Sequence, residues 1–172
     1  MTDASRNVIV AARSIQIEVD KLLGPPEEGL KATRQGVLLK ALVRDTRGYI
    51  EKIANQANGA YENGWYDAAA VMIRRLLETL IIETFEKYGI DAKIKDKNDN
   101  FFYLRDLIKC TLDEKAWNLS RNSKAALPRL KDLGDKSAHS RRYIALRGDT
   151  DPNLADIRVV VQELLFLSGL KK

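Results

Sequence analysis

The chain has 172 residues, 45% hydrophobic and 31% charged, which is the make-up of one folded domain with its own core rather than of a disordered protein. The net charge is +5, which excludes neither a polyanionic partner nor an ordinary solvated surface. The most apolar stretch, AAAVMIRRLLETLIIETF, is interrupted by Arg74, Arg75 and Glu78, so no run reads as a membrane span.

The pattern is helical almost throughout, and the predicted elements follow in chain order. The opening MTDASRNVIVAARS lacks the layout of a secretory signal, because charge interrupts the would-be apolar core; a cytoplasmic location is expected. A first helix is predicted over about 5–23, with Val8, Ile15, Val19 and Leu22 along one stripe. GPPEEG stops it, since Pro25 and Pro26 cannot continue a helix. A second, long helix is predicted over about 30–61, with Leu38, Leu42, Tyr49, Ile53, Ala57 and Ala60 on its inner face. These two are expected to form an N-terminal hairpin, residues 1–62, packed on the remaining core of 63–172 or on a second subunit.

Gly64 is the expected left-handed cap before a third helix over about 65–88, apolar on most sides and therefore central. Gly89 with Ile90 should end it. Asn98 to Asn100 are cap candidates for a short helix in FFYLRDLIKC, where Cys110 reads as a small buried hydrophobe. As the only cysteine it excludes an internal disulfide and a cysteine-cluster metal site. Thr111 and Glu114 have capping-box spacing for a fifth helix, which needs a kink near Pro128 and continues towards His139. In RGDTDPN, Asp151 is a cap candidate with Pro152 in the first turn of a last helix to about Leu167. The fold expected is an all-α, up-and-down helical bundle.

The chemistry is concentrated late in the chain. From Arg121 to Arg147 stand eight basic residues and two acidic ones, more than the whole chain's positive surplus. A polyanion, most often nucleic acid, is a natural partner for such a segment. Lys131, Lys136, Arg141, Arg142 and Arg147 are the candidate nucleic-acid-binding residues. His139 is the only histidine, so no metal site is expected, and there is no glycine-rich phosphate loop and no implied cofactor. On one continuous helix Asp135, His139 and Arg142 would share a face. That trio is the candidate catalytic set for metal-independent RNA cleavage: histidine as base, arginine against the charged phosphorane. The plainer alternative is a solvated histidine beside an Asp135–Arg142 ion pair. Arg74, Arg75 and Glu78 read as a structural ion pair, the alternative being that an arginine points into the cleft of His139.

Two blocks, ENGWYDAAAVMIRRLLETLI and LKDLGDKSAH, resemble HEPN-like helical domains over about Asn63 to Leu165. The likeness is greatest to a bacterial branch with a Gly-Asn-x-Ala-Ala-His motif, found alone or attached to restriction and other defence proteins. The resemblance implies a homodimer, an RNA context and a partner protein of a defence system. In active members an arginine, a polar residue, three variable residues and a histidine form the site, shared between two subunits. Here His139 and Asp135 match the histidine and the polar position, Gly134 occupies the arginine position, and Lys131 stands where the branch has its other arginine. The expected role is therefore an RNA-associated binding or scaffold module with a degenerate site. The alternatives are a metal-independent ribonuclease with His139 as general base, and a module that only binds protein.

Overall fold

A computed structural model describes residues 3–23 and 36–171, with side chains from 3 to 19 and from 36 to 171. The architecture is all-α. The helices are α1 (Asp3–Leu23), α2 (Lys40–Val43), α3 (Gly48–Glu62), α4 (Tyr66–Lys87), α5 (Leu104–Asp113), α6 (Arg121–His139), α7 (Arg147–Thr150) and α8 (Leu154–Leu167). Short 3₁₀ turns cover Asp91–Ile94 and Asp151–Asn153. No strand occurs among the described residues, only an isolated bridge between Lys95 and Phe101.

The central position of α4 follows from its sequence. Ala69, Ile73, Leu76, Leu77, Leu80, Ile81 and Phe85 are buried around much of its circumference, and it packs against α3, α5, α6 and α8. An apolar helix can be satisfied only by neighbours on several sides. Gly64 and Gly89 bracket it with φ of 78° and 67°, the left-handed geometry that only glycine adopts freely. Trp117 closes one end, edge-on to Phe85 with ring centroids 4.9 Å apart.

The long second helix is not formed. It is two pieces, α2 and α3, separated by a turn in which Asp45 has a φ of 64°. The Asp45 amide donates to Glu51 Oε1 at 2.8 Å, so a side chain of α3 stabilises the break. The part before residue 36, with the GPPEEG turn and the start expected at Leu30, lies outside the described residues. Ile50, Ile53, Ala54, Ala57 and Tyr61 of α3 belong to the same buried cluster as α4 and α8. Helix α1 differs, because each of its described side chains is exposed.

The segment entering α2 is fixed by long-range polar contacts. Leu38 donates its amide to Asn58 Oδ1 at 2.8 Å and accepts from Asn58 Nδ2 at 2.9 Å. The Arg158 guanidinium donates to the carbonyls of Val37 and Gly36 at 2.9 and 3.0 Å. A methyl group on Gly36 would fall 2.6 Å from Asn58 Cγ, so glycine is what lets the chain lie against that amide.

Three expected caps are replaced by other devices. Asn98 and Asn100 donate their amides to Asp96 Oδ1, tightening the loop, and α5 starts later, after an extended Tyr103. Thr111 is buried inside α5, where its hydroxyl donates to the Leu107 carbonyl, while Glu114 ends that helix and pairs with Lys93. Helix α6 instead begins after Ser120, whose hydroxyl accepts from the Ser123 amide at 3.2 Å. The reciprocal acceptor comes from another helix: Glu163 of α8 accepts from the Ser120 amide at 2.6 Å and from its hydroxyl at 2.9 Å. Ser120→Ala should therefore lower stability by about 1 kcal/mol, read as a lower urea midpoint with an unchanged slope. Asp151 does not cap α8; it accepts from Tyr61 and from Arg147 Nε. Pro128 lies within α6, which runs unbroken to His139. Pro128 has no amide to give the Lys124 carbonyl one turn earlier, and Lys124 is exposed.

Candidate functional site

Gly134 determines how closely α6 approaches α4. A Cβ built on it would stand 2.5 Å from Arg74 Cβ and 3.2 Å from the Ala70 carbonyl oxygen. The stem of Arg74 therefore crosses over Gly134, and its head reaches the next residue. Arg74 Nε donates to Asp135 Oδ1 at 2.8 Å, and Nη1 to Glu78 Oε2 at 3.3 Å. Lys131 completes the network, with Nζ 2.9 Å from Asp135 Oδ2 and 2.7 Å from Asp132 Oδ1. Arg74 and Lys131 are only 20% and 18% exposed.

This arrangement decides what Asp135 can do. Both of its oxygens are occupied by cations, and neither orients His139. Burial pushes the carboxyl up, but the bonds from Arg74 and Lys131 outweigh it and hold Asp135 below the usual aspartate range. A carboxyl depressed in the folded state adds stability above its unfolded pKa, about pH 4. That contribution is lost as pH falls through the folded value. Asp135→Asn should thus be less stable than the parent at pH 7, and the difference should shrink below about pH 4. Urea midpoints measured across pH 3–7 check this.

His139 ends α6 and is exposed. It lines a shallow groove of about 270 Å³ with Arg74, Tyr103, Arg105, Asp106 and Asp135. Arg142 is not in this groove. Helix α6 stops at His139 and Ser140 is extended, so the three-residue step from His139 to Arg142 has no helical meaning. Arg142 instead lines a neighbouring surface depression with Ser140 and Arg141. The expected Asp135–His139–Arg142 face therefore does not exist as a face. Two arginines do share a groove with His139: Arg105, paired with Asp106, and Arg74, across the helix contact, which is the alternative position the sequence left open for it.

The candidate basic residues divide into two groups. Lys131 is neutralised by Asp132 and Asp135, and Arg147 donates to Asp151 at 2.9 Å. Lys136, Arg141 and Arg142 are exposed, with no carboxylate partner among the described residues. Arg74 and Glu78 pair across one turn, while Arg75 is exposed on the adjoining face. Tyr103, which no motif or periodicity singles out, lines the groove with His139 and is the most exposed large apolar side chain described.

Elsewhere, Cys110 is half-buried at a groove with Phe85, Phe102, Lys93 and Lys109. Burial and the nearby Asp106 and Asp113 carboxylates push its thiol up, away from a reactive thiolate. No group of three or more metal-ligating side chains occurs among the described residues. No helix among them is long and apolar enough to cross a membrane. No family model matches the chain, and no curated protein or solved structure is significantly similar to it.

Proposed function

We propose that the chain is a HEPN-like helical domain that binds RNA as a scaffold, through the end of α6 and the turn beyond it. The supporting observation is the exposed trio Lys136, Arg141 and Arg142, without carboxylate partners among the described residues and flanking His139. Cations already paired inside a protein have little left for phosphate, whereas exposed unpaired ones release counterions when they bind it. On this reading Arg74, Lys131 and Arg147 serve the fold, and the protein is a cytoplasmic homodimer working beside a partner protein in defence. Anisotropy of a labelled single-stranded RNA in EDTA tests it. Wild type should bind at low salt, and Lys136→Ala/Arg141→Ala/Arg142→Ala should flatten the log K against log salt slope by about 2. Absence of binding at low salt, or an unchanged slope, would overturn it. Light scattering at high concentration checks the dimer.

One observation favours a second reading, a metal-independent ribonuclease. Arg74 brings a guanidinium into the groove of His139, which restores in space the arginine missing at Gly134. Binding remains the better-supported reading because two carboxylates already hold that guanidinium.

A further inference from the structure

Helix α1 is amphipathic, and among the described residues nothing covers it. Val8, Ala12, Ile15 and Val19 recur at steps of four, three and four residues along one face, the spacing that a packed helix shows. All are exposed, Val8 and Ile15 to about two-thirds. An isolated helix of this length is marginal in water, since most helical stability in proteins comes from burying the apolar face.

The body has an apolar surface of matching kind. Helices α2 and α8 wall a groove of about 200 Å³ lined by Ala41, Leu42, Gln162, Leu165, Phe166 and Lys171. Phe166 is 66% exposed, and Val159 on α8 and Leu39, just before α2, are exposed as well. Val159 and Phe166 stand two turns apart on α8, so they share a face.

Chain connectivity selects the occupant. Residues 24–35 separate α1 from Gly36, and Arg158 holds the Gly36 and Val37 carbonyls against α8, next to Val159. The chain that carries α1 therefore leaves the body beside the groove. A connection of that length spans up to about 40 Å, more than the whole of α8. A helix carried on the same chain meets the groove without dilution, which favours it over one from a second copy. Charge does not oppose it: Asp3, Glu18 and Asp20 balance Arg6, Arg13 and Lys21 on α1, and Lys40 and Lys171 lie near the groove.

The geometry points to α1 docking in the α2–α8 groove of its own chain, with Val8, Ala12, Ile15 and Val19 set against Leu42, Val159 and Phe166. This docking is independent of RNA binding.

Hydrogen exchange on the full-length protein tests it, with Phe166→Asp as the probe. Phe166 is mostly exposed, so its replacement leaves the core intact, which far-UV circular dichroism and the exchange of α4 verify. In wild type the amides of α1 should exchange at least roughly tenfold more slowly than in Phe166→Asp, a variant far from α1 in sequence. Ile15→Asp should give the same fast exchange, and the double variant no more. Fast exchange of α1 in wild type would overturn the proposal. So would protection indifferent to Phe166→Asp, or protection that fades on dilution, which would assign the helix to a second copy.

Discussion

Gly134→Arg is expected to destabilise the protein by about 3 kcal/mol or more, and Gly134→Ala by about 1–3 kcal/mol. The reason is the distance from a Cβ at 134 to Arg74 Cβ, 2.5 Å, with the Ala70 carbonyl oxygen 3.2 Å away. Neither neighbour can swing aside, since one is the first side-chain atom of its residue and the other is backbone. Helices α4 and α6 would have to separate, opening the contact between the two buried faces. An arginine would add a charge that must leave the interface to be solvated. Urea or thermal unfolding measures both variants. A Gly134→Arg protein as stable as wild type would mean that α6 does not lie this close to α4. The glycine thus has a packing reason of its own.

Asn58→Ala should cost about 2–4 kcal/mol, because two backbone groups of buried Leu38 lose their partners together. The Asn58 amide is 4% exposed and bonds both the amide and the carbonyl of Leu38, acting as a one-residue strand partner. Water has no access to replace it, so the cost is the full desolvation of an unpaired donor and acceptor. The loss should be local as well as global: amides of 37–43 should exchange faster than those of α4 in the same variant. Asn58→Asp would keep the acceptor but set a buried carboxylate oxygen against the Leu38 carbonyl, and should cost at least as much as alanine.

What the sequence showed and what it hid divide along range. The central helix α4, its glycine caps and the inward residues of α8 are local patterns, and they were legible as such. The Arg74–Glu78 pair was legible for the same reason, one turn on one helix. The contacts that shape the site are not local. Arg74 meets Asp135 across 61 positions, and Glu163 caps Ser120 across 43. The break between α2 and α3 escaped notice because Leu38, Leu42, Ile53 and Ala57 keep a helical spacing on both sides of it. Nothing in composition marks Asp45 as left-handed. The basic segment is visible in the sequence as formal charge, but formal charge does not say which cations are already paired. Only the fold separates Lys131 and Arg147, held by carboxylates, from Lys136, Arg141 and Arg142, which are not.

That separation also weighs binding against catalysis. A general base needs a correctly placed proton acceptor and a partner for the developing phosphorane charge. His139 is accessible, but Asp135 is turned to Arg74 and Lys131, and Arg74 enters the groove already paired. The most direct test of the account is incubation of end-labelled single-stranded RNA with the purified protein in EDTA, beside His139→Ala, with the products resolved at single-nucleotide length. The account predicts that RNA is bound and recovered intact, identically for both proteins. Cleavage that leaves 2′,3′-cyclic ends and disappears in His139→Ala would contradict it.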